Sequence, residues 1–340
     1  MEVFPVSDNK VEINGFRVLK EEGDLPLKLS HTDKGKKVCI TDFVNLKVKM
    51  HLFDWLTFVV VAILCEISRI QSLIASAESG TIKRARNSRK FDMPSDDYPF
   101  PKLQNLVMVA GHSIYTSSNC AKVDKEDSWF LESYQRNPGQ AATFLTHIKE
   151  GIEIAAQDDL ALLLFSGGET RKDAGPRSEA QSYWAVADSK GWFGKEESVK
   201  WRALTEEHAR DSFENLLFSV CRFRELTGTY PQNITVVSYD FKEDRFAHLH
   251  RSAINFPESR FFYAGTPAAS NSKAAALKGE ALVRAQFLKD PYGCQGSLYH
   301  KKLRRDPFHR SIPYPNGCPE MKDLFRYCGP APYPGSLPWP

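Results

Sequence analysis

Glycine, serine, histidine and charged residues stand directly after three apolar runs of the sequence. They are Gly111 and His112 after the first run, Ser166, Gly167, Gly168 and Glu169 after the second, and Ser238, Lys242 and Arg245 after the third. Such residues could hold a small anionic ligand, because arginine binds anions through two parallel N–H bonds, lysine supplies a point charge and glutamate accepts from amines or hydroxyls. The alternative is an internal ion-pair network without a ligand.

The Ser166-Gly167-Gly168 turn has two interpretations. Without Cβ atoms, the backbone can approach a ligand closely and direct its N–H groups at an anion. Glycine is equally the usual residue wherever a turn requires a positive φ. The sequence of the turn leaves both interpretations open.

The segment TEEHARDSFENLLFSVCRF, residues 205–223, predicts an amphipathic helix. Its apolar stripe consists of five residues: Ala209, Phe213, Leu216, Leu217 and Val220. Ser212, Asn215 and Ser219 flank this stripe and could line a crevice, because short polar side chains suit ligand hydroxyls or amides.

Four carboxylates in the same segment have simpler interpretations. Glu206 and Glu207 are expected in the first helical turn, where the helix dipole favours negative charge. Asp211 and Glu214 point away from the apolar stripe, so we expect them on a solvated face.

Several standard motifs are absent from the sequence. It contains no Walker sequence, no GxGxxG after a predicted strand and no GxSxG elbow. Histidines and cysteines show no recognised zinc spacing, so no metal site is predicted. The seven cysteines include no CxxC pair, which predicts free thiols in a reducing compartment.

Four apolar runs should form the elements that position these residues. They cover 106–111, 160–168, 233–240 and 259–267, and the segments between them are long enough for crossover helices. Continuous apolar runs indicate strands covered on both faces, which predicts an α/β, Rossmann-like fold with a doubly wound, mostly parallel sheet. Ligands of such sheets bind at the carboxyl ends of the strands, where the polar residues lie.

The rest of the chain divides by composition. Residues 1–50 form an irregular arm, residues 51–75 an apolar helix, residues 76–102 a linker and residues 103–289 the Rossmann-like domain. Residues 290–340 are rich in proline and glycine and are expected to form an irregular tail packed on the domain.

The apolar run from Trp55 to Cys65 raises the question of a membrane. It contains eleven residues, whereas a spanning helix needs roughly 20. Basic residues on both sides could contact anionic headgroups. A buried or docking helix and a peripheral or single-pass membrane anchor both stay open.

Charge and composition exclude some classes of partner. The chain is 42% hydrophobic with a formal charge of +3, and its basic residues are balanced by acidic ones along most of its length. Nucleic acid is therefore not an expected partner. The N-terminus shows no secretory signal, so the protein is expected to be cytoplasmic or membrane-associated inside the cell, and not secreted.

Four motifs in order resemble the YdcF-like family, also called domain-of-unknown-function family 218, over about residues 103–267. They are VMVAGH, then FSGGETR with Arg177-Ser178-Glu179-Ala180, then Glu206 to Asn215, and last Ser238 to Arg245. The ending Leu337-Pro338-Trp339 resembles eukaryotic members. The family's histidine of the last motif is Lys242 here, so a histidine at that position is not available for proton transfer.

The resemblance implies a Rossmann-like fold with a site for S-adenosylmethionine or a nucleotide-like ligand. In this chain Glu169, Glu179 and Glu206 would face Lys242 and Arg245. Three functions stay open: a small-molecule binding protein, a hydrolase or transferase acting on a phosphorylated or sugar-linked substrate, and a membrane-tethered adaptor. The sequence indicates no oligomeric state.

Overall fold

The computed structural model describes residues 10–13, 16–19, 98–118, 122–268 and 273–339. The apolar segment 51–75 and most of the predicted linker lie outside these residues. No helix of the described part is long and apolar enough to cross a membrane.

The N-terminal unit, Met1–Ile40, contains a β-hairpin. Strands β1 (Lys10–Ile13) and β2 (Phe16–Leu19) pair antiparallel, with Lys10 opposite Leu19. The hairpin covers eight residues of the predicted irregular arm, and the rest of residues 1–50 lies outside the described part of the chain. Each strand has only four residues, which is too short for the alternation of apolar and polar residues to stand out.

A five-stranded parallel sheet forms the centre of the second unit, Thr41–Pro340. Its strands are β3 (Asn105–Ala110), β6 (Ala161–Ser166), β7 (Ala203–Glu206), β8 (Asn233–Tyr239) and β9 (Phe261–Thr266). They lie in the order β7-β6-β3-β8-β9, and every pairing is parallel. A separate antiparallel pair joins β4 (Ile114–Tyr115) to β5 (Trp129–Phe130).

This sheet confirms the predicted α/β, Rossmann-like class. All four predicted strands are present, and β7 is an additional strand at the edge. Glu206 ends β7, so its expected place in the first turn of a helix was wrong. The run Ala-Leu-Thr-Glu is short and half-polar, because an edge strand needs less apolar sequence than a central one.

Helices cover both faces of the sheet. They are α1 (Gln140–Ala156), α2 (Glu179–Ser189), α3 (Glu196–Val199), α4 (Ser212–Thr227), α5 (Arg251–Ala253), α6 (Lys273–Lys289) and α7 (Gly296–Arg304). Alternate residues of β3 enter different cores, as the two-residue period of a strand requires. Leu106 and Met108 pack with α4, whereas Val107 and Val109 pack with α1 and α2.

Helix α4 begins later than its sequence suggested. Asp211 is its N-cap and accepts from the Glu214 backbone N–H at 2.9 Å, which leaves Ala209 outside the helix. Asp211 and Glu214 are both 4% exposed, so the prediction of a solvated face was wrong. Both carboxylates form ion pairs with Lys302, which approaches from α7.

The C-terminal segment 290–340 packs on the α4 face of the sheet. Tyr292, Leu298, Met321 and Trp339 belong to the same apolar core as α4. The segment is not wholly extended, because it contains α7 and two short 3₁₀ turns, Pro319–Met321 and Leu324–Arg326.

Two disulfides hold this segment, which contradicts the predicted free thiols. Cys221 of α4 is bonded to Cys318, and Cys294 is bonded to Cys328. Cys221 and Cys318 are 97 residues apart in sequence. Such a pairing depends on how the tail packs and leaves no local spacing that could be recognised.

Candidate functional site

A cavity of about 720 Å³ opens at the carboxyl ends of β3 and β8. These two strands are neighbours in the sheet. From β3 the chain runs outward through β6 and β7 on one side, and then it crosses to the other side of β3 to form β8 and β9. The position is therefore the topological switch point, where open α/β sheets bind their ligands. Helices α2, α4, α6 and α7, the start of α1 and the loops before α1 and after β6 contribute the remaining walls.

Of the predicted site residues, just over half line this cavity. They are Gly111, His112, Glu179, Ser212, Asn215, Lys242 and Arg245. Gly111, His112, Lys242 and Arg245 were predicted because they follow strands, Ser212 and Asn215 because they flank the helix stripe, and Glu179 from the family resemblance.

His112 and Lys242 lie side by side in the cavity, just after the carboxyl ends of β3 and β8. The Lys242 Nζ is 3.3 Å from His112 Nδ1, and His112 Nε2 is 3.1 Å from the Ser238 Oγ. Burial, followed by the charge of Lys242, holds the pKa of His112 well below its ordinary value, so the imidazole is neutral. Burial and the charge of Arg245 lower the pKa of Lys242 to about 7.

Arg245 forms a bidentate ion pair inside the protein. Its Nε and Nη2 each donate at 2.7 Å to the carboxylate of Glu280 on α6, and its Nη1 donates at 2.6 Å to the Ser212 Oγ. Both partners of the ion pair are less than a tenth exposed. Arg245 is thus held in place before any ligand binds, and its positive charge is already compensated.

Glu179 stands at the start of α2, beside the loop that follows β6. Its Oε1 accepts from the Thr170 hydroxyl at 2.6 Å. The neighbouring Arg171 is bound to Glu132, with Nε and Oε1 2.9 Å apart. This wall of the cavity is therefore polar but balanced in charge.

Four of the cationic side chains that line the cavity have no carboxylate partner among the described residues. Lysine and arginine line it at seven positions: Arg171, Arg210, Lys242, Arg245, Lys301, Arg304 and Arg305. Aspartate and glutamate line it at four: Glu132, Glu179, Asp211 and Glu280. Within the described part of the chain, the ion pairs engage Arg171, Arg210 and Arg245 but none of Lys242, Lys301, Arg304 and Arg305. Burial and the charge of Arg305 lower the pKa of Lys301 to about 7.

The Ser166-Gly167-Gly168 turn does not present amides to an anion. The N–H of Gly167 donates to the Glu206 carbonyl at 3.0 Å, and the N–H of Gly168 donates to the Ala209 carbonyl at 2.8 Å. A Cβ at Gly167 would lie 2.8 Å from the Cβ of Glu179. Gly167 therefore allows α2 to pack closely against the end of β6, and Gly168 allows the Ala209 carbonyl to approach the turn.

The other predicted site residues lie outside the cavity lining: Ser166, Gly167, Gly168, Glu169, Glu206 and Ser238. Glu169 binds Arg310 of the tail through two contacts of 2.8 Å, so the structure does not bring it to Lys242 and Arg245. Glu206 is buried and accepts from the Ser166 hydroxyl and the His208 backbone N–H. Burial raises its pKa to about 8.

Several cavity residues were not predicted from the sequence, among them Glu280, Lys301, Arg304 and Arg305. The last three lie in the basic run HKKLRR, residues 300–305, within what was taken for an irregular tail. This run was the available signal, but nothing in it indicates which surface of the domain it covers. Among the described residues, no group of three or more histidines, cysteines, aspartates or glutamates could hold a metal ion.

The chain is similar to one yeast protein of unknown function. It is 29% identical over 259 residues to the uncharacterized protein YOR238W of Saccharomyces cerevisiae, covering 62% of this chain and 86% of the yeast protein. No known family profile matches the chain, and no solved structure matches it.

Proposed function

We propose that this protein binds a small, multiply charged anion of the nucleotide type in the cavity at the ends of β3 and β8. The observation that carries the proposal is the convergence of Lys242, Lys301, Arg304 and Arg305 on one cavity without a carboxylate partner in the described residues. Cations in a partly buried site are costly unless something compensates them, and an anionic ligand would do so.

Of the two ligand classes that the YdcF-like resemblance implies, the charges favour nucleotides. S-adenosylmethionine carries a sulfonium and an ammonium against one carboxylate, so its net charge is positive. A cavity with an excess of cations would repel it and attract phosphates. Tyr239 and Phe241, whose rings stack at 5.0 Å, also line the cavity and suit a planar base.

Membership of the YdcF-like family is part of this proposal. Its support is the arrangement of the motifs, because Gly111-His112, Glu179, Asn215 and the Lys242–Arg245 segment all reach the same cavity. A role as a membrane-tethered adaptor stays a prediction from residues 51–75.

The test measures the shift in melting temperature and the affinity produced by ADP, a sugar nucleotide and S-adenosylmethionine, with and without divalent metal. We expect the phosphate compounds to stabilise the protein and S-adenosylmethionine to have little effect. Lys301→Met should weaken ADP binding at least about tenfold, since one charge-assisted contact contributes about 1.5 to 3 kcal/mol. The exposed Lys102→Met is the matched control. Stabilisation by S-adenosylmethionine but not by ADP would contradict the proposal.

The affinity should also depend on pH in a defined direction. The pKa values of Lys242 and Lys301 lie at about 7 without a ligand. A bound anion favours the charged forms of both lysines, so the protein should take up protons when the anion binds. ADP binding should therefore weaken as the pH rises from 6.5 to 9. Constant affinity over this range would show that neither lysine contacts the phosphates.

A hydrolase or transferase acting on a phosphorylated or sugar-linked substrate is the second candidate. Its specific support is the neutral imidazole of His112 beside the Lys242 amine at the cavity wall, because this pair can transfer protons near neutral pH. His112→Gln would separate the two functions. It should abolish turnover of a sugar nucleotide while leaving binding largely intact.

A further inference from the structure

The amine of Lys242 has unusual surroundings for a lysine. It follows β8 on the turn Asp240–Lys242, and its Nζ faces the imidazole of His112 at 3.3 Å rather than a carboxylate. The ring of Tyr239 lies on another side, with its centroid 5.1 Å from Nζ. The amine is thus held by a neutral nitrogen acceptor at the wall of a large cavity.

The charges around Lys242 favour the neutral amine. Arg245, Lys301 and Arg305 all repel its proton, whereas Glu280 attracts it but is bound to Arg245. Burial and these cations bring its pKa to about 7, so a large fraction of the amine is neutral at neutral pH. A lysine that is desolvated and lies next to other cations is the arrangement that makes an amine nucleophilic.

We propose that Lys242 forms an imine with the carbonyl group of a phosphorylated small molecule. The inference rests on the proposed function, because the unbalanced cations Lys301, Arg304 and Arg305 would hold the phosphate while Lys242 reaches the carbonyl. The substrate class is therefore an aldehyde or ketone that also carries a phosphate or an equivalent dianion.

The step balances without any further reagent. The lone pair of Nζ attacks the carbonyl carbon, and the π pair of the carbonyl moves to its oxygen. His112 Nδ1 accepts a proton from the nitrogen and returns it to that oxygen, which gives a carbinolamine. Loss of the hydroxyl with one more proton releases water and leaves the C=N bond, so one amine and one carbonyl give one imine and one water.

The geometry assigns the reaction to Lys242 rather than to Lys301. Both amines face the cavity, and both pKa values lie at about 7. Only the Lys242 amine has a histidine nitrogen within hydrogen-bonding distance among the described residues. The N–H that donates to Nδ1 leaves the lone pair of the amine free for attack, and the same imidazole can move the proton.

The experiment uses the full chain and pyridoxal 5′-phosphate as the probe, which is an aldehyde and a phosphate in one molecule. The imine is reduced with borohydride, and the modified lysine is located by mass spectrometry of peptides. Pyridoxal without the phosphate is the matched probe, and ADP is the competitor. Lys242→Arg keeps the charge but cannot form an imine, and Lys102→Arg is the control variant.

We expect one modified lysine, Lys242, at low probe concentration, with at least about tenfold less labelling by pyridoxal and protection by ADP. Labelling of Lys242 should rise as its amine loses a proton near pH 7, and at this low probe concentration it should fall again toward pH 9, where phosphate binding weakens. Exposed lysines should continue to gain reactivity up to their ordinary pKa of about 10.4. The labelled lysine is identified in the parent protein, so the conclusion does not depend on the folding of any variant.

The outcomes separate this inference from the function on which it rests. Binding of ADP together with labelling spread over many lysines, or located at Lys301, would overturn the imine and leave the anion site intact. Equal labelling of Lys242 by pyridoxal would overturn the phosphorylated substrate class. Absence of both ADP binding and phosphate-dependent labelling would overturn the two proposals together.

Discussion

Glu206 shows how burial changes the chemistry of a carboxyl group. It ends an edge strand with 1% exposure, and no cation forms an ion pair with it among the described residues. Burial raises its pKa from 4.5 to about 8, in spite of hydrogen bonds from His208 and Ser166 that favour the carboxylate. The folded protein therefore binds one more proton than the unfolded chain between these two values.

This extra proton gives a pH dependence of stability with a definite sign. The folded state holds the proton more tightly, so the contribution of Glu206 to the free energy of unfolding should fall as pH rises from about 5 to 8, by up to about 1.4 kcal/mol per pH unit. Above the folded pKa this contribution should stay constant. Because the histidines and lysines with shifted pKa values act equally in both proteins, the measurement is the difference between the parent and Glu206→Gln, which resembles the neutral acid, in urea unfolding from pH 5 to 9.

The control for this prediction is the exposed Glu197→Gln, which should leave the slope unchanged. If Glu206→Gln keeps the slope of the parent, the carboxyl is ionised in the folded protein and the assignment of its buried proton is wrong.

Single residues also show what could be read from the sequence. His112, Lys242 and Arg245 were identified because each follows an apolar run, and strand ends of a parallel sheet meet at one edge. Glu169 follows such a run as well, yet Arg310 of the tail draws its side chain to another surface. Sequence position fixes where a strand ends, but the direction of a side chain depends on partners far away in the chain.

Adjacent lysines of α7 have different roles. Lys302 is buried, with its Nζ 3.5 Å from the Asp211 Oδ2 and 3.3 Å from the Glu214 Oε1, and it also donates to the Tyr292 carbonyl at 2.7 Å. Lys301 faces the cavity instead. One lysine joins α7 to the start of α4, and the other is available to a ligand.

Matched substitutions should separate these roles. Lys302→Met leaves Asp211 and Glu214 short of a buried partner, so it should lower the free energy of unfolding by about 3 to 5 kcal/mol. Lys301→Met removes a partly buried amine without a carboxylate partner, so it should leave the free energy of unfolding unchanged or raise it. Urea unfolding of both variants is the measurement. Similar losses in both would mean that α7 is placed by its general packing and not by this ion pair.

The elements themselves were predictable to different degrees. Apolar runs identified β3, β6, β8 and β9. The first three are central strands covered on both faces, which need such runs, and the edge strand β9 has an apolar run although most of it is only half-buried or exposed. The edge strand β7 needs no such run, and it was missed. The start of α4 was predicted too early in the sequence. Asp211 and Glu214 are polar yet buried, and the docking of α7 explains their burial.

Residues before the predicted domain start at Leu103 already contact α4. The Arg224 guanidinium donates to the Tyr98 hydroxyl at 3.0 Å, and the Phe100 N–H donates to the Leu226 carbonyl at 3.0 Å. Gly228, which ends α4 with a φ of +78°, allows the Tyr98 ring to approach where a Cβ would lie 2.6 Å from it. These residues were assigned to the linker because proline and acidic residues precede them.

A chain beginning at residue 98 should therefore be more stable than one beginning at residue 103. The difference should be about 2 to 4 kcal/mol, from two half-buried aromatic side chains and their hydrogen bonds. Thermal and urea unfolding of the two fragments would measure it. Equal stability would show that Tyr98 and Phe100 only rest on the surface of α4.

The order of the strands has a consequence for how the molecule folds. The central strand β3 has both neighbours later in the chain, with Asn105 opposite Ala161 of β6 and opposite Asn233 of β8. Pairings of such long sequence separation make folding slow. The β3-β6-β7 half can form from residues up to Glu206, but the cavity needs β8 and α7 as well. We therefore expect the binding site to be the last part of the domain to assemble, after most of the sheet already exists.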